Sequence, residues 1–98
     1  MASIPEAIDR AGKALSQRNG GAPLTKQEIV DETLRNGDPK WSRGSIMPDD
    51  FCYNRKNKGS RPDELCVFVA TNLEKGGGPY VYKGKGYVHS GPVFKSWT

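Results

Sequence analysis

The stretch Leu65-Cys66-Val67-Phe68-Val69-Ala70-Thr71 decides the fold. It is rich in β-branched and aromatic residues and too short for a lone helix, so it reads as a strand. Asn72 to Gly78 is a turn-forming connection, and Pro79-Tyr80-Val81-Tyr82-Lys83 alternates like a partner strand. Together they predict a β-hairpin whose tip, Lys75-Gly76-Gly77-Gly78, uses glycine to turn with positive φ. A further extended piece, Tyr87 to His89, is expected after Gly84-Lys85-Gly86, ahead of a tail carrying Phe94 and Trp97.

Upstream of the hairpin the period changes from two to 3.6. From Ser3 to Arg18, Ile4, Ile8, Ala11 and Leu15 recur at helical spacing while Glu6, Asp9, Arg10 and Lys13 face away. Ser3 and Glu6 have the spacing of a capping box, Pro5 is tolerated in the first turn, and Asn19-Gly20-Gly21 ends the helix. Thr25 and Glu28 start a second helix in the same way, with Leu24 placed to staple against Ile29 and an apolar set of Ile29, Val30 and Leu34. Asn36-Gly37 stops it and Asp38-Pro39 begins a turn.

Between Trp41 and Asn54 the signal weakens, because Gly44 and Pro48 both disfavour a helix interior. With Ser45 as N-cap, Pro48 falls in a first turn and Asp49 and Asp50 lie near the positive end of the dipole, so a short third helix is expected from Ser45 to about Tyr53. Asn54 through Pro62 has no apolar residue and reads as a basic loop.

A chain of 98 residues, 35% hydrophobic and 27% charged, builds one modest core. Residues 1–90 are expected to form the domain and 91–98 a C-terminal tail. The net charge of +4 is unevenly divided, with −1 in residues 1–50 and +5 in residues 51–98. Such an imbalance is the footprint of a polyanion binder. Two cysteines are too few for a disulfide framework, no cleavable apolar leader is present, and no apolar run approaches the roughly 20 residues needed to cross a bilayer. The expectation is a cytoplasmic protein with reduced thiols and no membrane contact, as a monomer or homodimer.

Helix, helix, short helix and hairpin is the element order of an α+β winged helix-turn-helix: three helices followed by a β-hairpin wing, with the third helix offered to the major groove and the wing to the backbone. Arg55, Lys56, Lys58 and Arg61 follow the third helix, and Lys75, Lys83 and Lys85 decorate the wing, where phosphates would lie. The run Pro23-Leu24-Thr25-Lys26-Gln27-Glu28-Ile29 resembles the start of the second helix in the HARE-HTH group of winged helix-turn-helix domains, associated with restriction endonucleases and chromatin proteins. Gly44 through Asn54 (GSIMPDDFCYN) resembles a segment of small bacterial winged-helix domains found alone or fused to nucleases. The resemblance spans about residues 3–83. It implies a DNA-reading module that senses modified or foreign DNA, in a restriction-modification or transcription-regulation setting of bacterial or phage origin.

The residues expected at the DNA interface are Trp41, Arg43, Ser45, Asn54, Arg55, Lys56, Lys58, Arg61, Lys75, Lys83 and Lys85. Asn pairs bidentately with adenine and Arg with guanine, which singles out Asn54 and Arg55 beside the third helix. Asp49 and Asp50 repel phosphate unless they neutralise Arg43 or Arg55. Trp41, Phe51, Tyr53, Tyr80 and Tyr82 are weighed between core packing and stacking on a flipped base.

Cys52, Cys66 and His89 match no zinc spacing, so no metal is expected. No GxxxxGK[ST] occurs, and Gly84-Lys85-Gly86 lacks a third glycine, so no nucleotide cofactor is expected. Nuclease chemistry is disfavoured because no [DE]-x-K follows Pro48-Asp49 or Pro62-Asp63. The alternative to a double-stranded DNA reader is a protein-interaction module of a phage or mobile element, holding a host factor through Val93, Phe94 and Trp97.

Overall fold

Each helix begins where a side chain can satisfy its first backbone N–H groups. In a computed structural model describing residues 3–55, 62–73 and 78–94, helix α1 spans Ile4–Arg18 and helix α2 spans Lys26–Arg35. The Ser3 hydroxyl accepts from the Glu6 backbone N–H at 3.4 Å and itself donates to the Glu6 carboxylate at 3.1 Å. At α2 the box is reciprocal: Thr25 Oγ1 accepts from Glu28 N at 3.1 Å and Glu28 Oε1 from Thr25 N at 2.9 Å. Leu24 and Ile29, flanking that cap, are both fully buried.

The hairpin is antiparallel, with β1 at Phe68–Ala70, β2 at Tyr80–Tyr82 and register Phe68↔Tyr82, Val69↔Val81, Ala70↔Tyr80. These strands are shorter than the apolar run that announces them, because Leu65 closes a 3₁₀ turn, Asp63–Leu65, and Val67 turns its backbone elsewhere. Val67 N–H donates to Phe51 O at 2.9 Å, while Val67 O accepts from Lys83 and Gly84. Tyr87 to His89 is irregular rather than a strand. The glycine tip, apart from Gly78, lies outside the described residues.

Two further segments join the hairpin edges. Leu24, between the helices, exchanges both backbone hydrogen bonds with Tyr80, at 2.6 and 2.8 Å. On the other edge Cys52 runs parallel to Phe68, and Arg55 in turn runs parallel to Phe94. Phe94, in the C-terminal tail expected over 91–98, is tied to the domain by its N–H to Asn54 O at 2.9 Å.

The core lies where the two helices meet the hairpin: Ile8, Leu24, Ile29, Val30, Ile46, Phe51, Cys52, Val67, Phe68, Ala70 and Tyr80. Ile4, Leu15 and Leu34, expected on the apolar helix faces, are partly buried at its margin. Gly12 brings α1 against β2, since a Cβ there would lie 2.7 Å from the rings of both Phe68 and Tyr82. Among the described residues no helix is long and apolar enough to cross a membrane.

Candidate nucleic-acid interface

The short third helix expected over Ser45 to Tyr53 does not form. Two single 3₁₀ turns take its place, Arg43–Ser45 and Pro48–Phe51, separated by the extended Ile46 and by Met47, which is not helical. Pro48 disfavours the helical region for the residue before it, and Met47 accordingly sits at φ −120, ψ 88. Ile46 is buried, which anchors the bend.

Beyond Phe51, Cys52 bridges to Phe68 of β1 and the chain then turns at Tyr53 and Asn54, which carries two expected DNA contacts, Asn54 and Arg55, into the interior. Asn54 is buried, with its amide donating to Ala70 O and accepting from Ala70 N–H, both at 2.8 Å. No hydrogen-bonding edge is left to face adenine. Arg55 is fully buried; its guanidinium donates to the Asp49 carboxylate and to Asn72 O. Asp49, rather than serving a helix dipole, holds Arg55 and accepts from the Tyr80 hydroxyl at 2.7 Å.

The other expected residues divide. Trp41 is half-buried against the core with its ring over Gly37, where a Cβ would approach it to 2.3 Å. Ser45 is exposed and caps no helix, its hydroxyl lying 3.0 Å from that of Ser42. Arg43, Lys83 and Lys85 are exposed. Lys56, Lys58, Arg61, Lys75 and Trp97 lie outside the described residues.

Arg43 faces the first turn of α2. Lys26, Gln27, Val30, Arg43 and Gly44 line an open groove of about 450 Å³, with Ser45 and Met47 exposed on the turn that borders it. Arg43 Nη1 bonds Asp31 at 2.6 Å, an exposed pair that salt screens readily. Lys26 and Gln27 were absent from the expected interface. Their outward position follows from the Thr25 cap, but their meeting with Arg43 depends on the turn after α2.

A second surface forms where the chain leaves β2. Tyr53, fixed by its hydroxyl to Gly84 O at 2.7 Å, holds the Tyr87 ring edge-on at 5.3 Å between centroids. Lys83 Nζ stands 5.4 Å from the centre of the Tyr87 ring, and the His89 ring lies 6.3 Å away on its other neighbour. His89 Nε2 is 3.1 Å from Pro92 O, to which only a protonated Nε2 can donate. Tyr53, Asp63, Tyr87, Val88, His89 and Val93 line a cleft of about 290 Å³. It shares no lining residue with the groove at α2.

Several buried titratable groups serve the fold. Glu32 is buried on α2, where Arg18 grips it with two bonds of 3.1 and 3.2 Å and Arg35 and Asn36 add 3.2 and 3.1 Å. The Arg18 hydrogen bonds outweigh burial and keep its carboxyl below the usual range. Burial pushes the phenols of Tyr53, Tyr80 and Tyr82 up, reinforced for Tyr80 and Tyr82 by bonds to Asp49 and Asp9. Burial likewise raises the Cys52 thiol well above its ordinary value. Among the described residues no three His, Cys, Asp or Glu side chains group as a metal site.

Residues 7–97 match DUF7225, a domain of unknown function. The chain belongs to that family. No curated protein and no solved structure matches it. The described surfaces of this DUF7225 domain include the groove at α2 with Lys26 and Arg43, the aromatic cleft below β2, and a cavity of about 490 Å³ where Arg10 and Arg18 of α1 face Glu32 and Asn36 of α2.

Proposed function

We propose that this DUF7225 chain is a winged-helix-type module that binds double-stranded DNA chiefly through its phosphate backbone, related to the HARE-HTH group. The carrying observation is the exposed groove in which Lys26 and Arg43, from separate elements, flank the first turn of α2. Ammonium and guanidinium groups so placed replace counterions along a duplex. The hydrogen-bonded rung between Leu24 and Tyr80 supports the layout, because it seats the helix pair on a hairpin whose exit carries Lys83 and Lys85. With 3₁₀ turns in place of a third helix, sequence reading falls to Gln27, Ser45 and neighbouring exposed groups, and base contacts are few beside backbone contacts.

No catalytic step is assigned. Asp49 is held by the buried Arg55, the buried carboxylate of Glu32 by the exposed Arg18 and Arg35, and the imidazole of His89 lies against Pro92 O. A protein-binding role is the second reading, favoured by the exposure of Val88 and Val93 at the hairpin exit.

Titration of a labelled duplex at two salt concentrations, with and without cytosine or adenine methylation, tests the proposal. Affinity falls with salt by about 0.9 log unit per log unit for each phosphate contacted, and Lys26→Ala and Arg43→Ala each reduce that slope by about one contact. A salt-insensitive affinity, or slopes unchanged in both variants, overturns it and leaves the protein-binding role.

A further inference from the structure

The cleft below β2 has features that backbone binding does not require. Tyr87 keeps 36% of its surface exposed although its ring is held upright by Tyr53, and Val88 and Val93 beside it are exposed at 84% and 37%. An aromatic ring held by its neighbours yet still partly exposed can act as a stacking surface, since part of the cost of ordering it has been met by the fold. The volume of about 290 Å³ is at the lower limit of small-molecule sites, which suits one flat heterocycle and is too small for a partner's helix. Three rings, Tyr53, Tyr87 and His89, and two valines line it together with the carboxylate of Asp63. Lys83 Nζ lies over one face of the Tyr87 ring and Lys85 follows on the same turn, so anionic groups attached to an occupant on the other face meet positive charge at the rim of the cleft, across from the carboxylate of Asp63 in its lining. That combination separates a nucleotide from a neutral apolar ligand.

We infer that this cleft receives a single unstacked nucleobase of bound nucleic acid, with Tyr87 as the stacking surface and Lys83 neutralising the adjoining phosphate. The inference rests on the DNA-binding reading and adds to it a preference for duplexes that offer an extrahelical base. The turn that presents the platform depends on Gly84 and Gly86, at φ +83 and +84, which place Lys83 and Tyr87 next to each other across four residues.

The test compares a fully paired duplex with the same duplex carrying one extrahelical adenosine, at one salt concentration. The wild-type protein binds the bulged duplex about tenfold more tightly, the order expected for one base stacked on one aromatic ring. Tyr87→Phe keeps that ratio, while Tyr87→Ala and Tyr87→Leu bring it towards one; circular dichroism confirms that the variants fold. In parallel, adenosine monophosphate alone is titrated while the ring protons of His89, the single histidine, are followed by nuclear magnetic resonance. Shifts in the wild type that vanish in Tyr87→Ala support the cleft.

The outcomes separate the two claims. Salt-dependent duplex binding with a wild-type ratio of one, and no monophosphate shifts, overturns the base cleft and leaves the DNA reading standing. Monophosphate shifts with no duplex binding keep the cleft and overturn the DNA reading. A bulge preference that survives in Tyr87→Leu overturns the assignment to Tyr87.

Discussion

The side-chain amide of Asn54 and the backbone of Ala70 form a closed pair of hydrogen bonds, each 2.8 Å long, in which a side chain takes the place of a neighbouring strand. β1 would otherwise have an unpaired edge at Ala70, buried to 4% exposure. Asn54→Ala leaves a buried donor and a buried acceptor unmatched, at about 1–3 kcal/mol each. Asn54→Asp restores the acceptor but sets a carboxylate against Ala70 O, so it does not rescue. Urea denaturation of both variants checks this; wild-type midpoints would show that Asn54 is not a strand substitute.

Arg55 and Asp49 form the one described ion pair whose cation is wholly inaccessible, with Tyr80 donating to the same carboxylate oxygen. Arg55→Met keeps volume but strands the Asp49 charge, and the expected loss is about 3–5 kcal/mol. That is a large share of the roughly 5–15 kcal/mol holding a domain together. The double variant Asp49→Asn, Arg55→Met recovers much of the loss, because no uncompensated charge remains. A double-mutant cycle by chemical denaturation measures the difference, and equal losses in single and double variants would contradict it.

Gly12 is a close-approach position in the middle of α1. Alanine there gains about 1 kcal/mol of helix propensity. The new methyl meets Phe68 and Tyr82 at 2.7 Å, and overpacking of this kind costs about 1–3 kcal/mol. The clash prevails: Gly12→Ala lowers the melting temperature, whereas Gly12→Ala with Tyr82→Leu is less affected than the sum of the two changes. Thermal unfolding of the set decides it.

Alkaline pH destabilises the domain through its tyrosines. Tyr53, Tyr80 and Tyr82 hold their protons more tightly folded than unfolded. An unfolded phenol ionises near pH ~10, so their contribution is complete below that value and is lost as pH rises past it. Phenolate absorbance of these residues appears together with loss of the far-ultraviolet circular dichroism, and Tyr82→Phe makes the alkaline decline shallower. At the acid end Glu32, whose carboxyl is depressed, contributes above the unfolded carboxylate range and loses that contribution as pH falls through its folded value. Its arginine partners are more than half exposed, which limits the effect to about 1 kcal/mol. Glu32→Gln flattens the acid limb of the stability profile by that amount.

Local chemistry made α1, α2 and the hairpin legible. Thr25 with Glu28, Ser3 with Glu6, and the run through Phe68 act within a few residues, so spacing alone locates them. The segment from Trp41 to Arg55 was not legible in the same way. Ser45 followed by Pro48, Asp49 and Asp50 has the composition of a helix start, yet Pro48 keeps Met47 out of the helical region and β1 offers Phe51 to Asn54 an edge to pair with. Asn54 and Arg55 carry the chemistry of base recognition in any sequence. Only the proximity of Ala70, Asn72 and Asp49, between 6 and 17 residues away, draws them inward.

The sequence by itself determined the two capped helices, the hairpin and the excess of positive charge in the second half, because caps, periodicity and composition act locally or additively. Tertiary structure alone decided which polar side chains face solvent and which exposed groups adjoin: Arg55 goes inside, Lys26 lines one groove with Arg43, and Lys83 lies over the Tyr87 ring. Those outcomes follow from contacts between segments distant in the chain, where a buried hydrogen bond left unmade costs more than any local preference can offset.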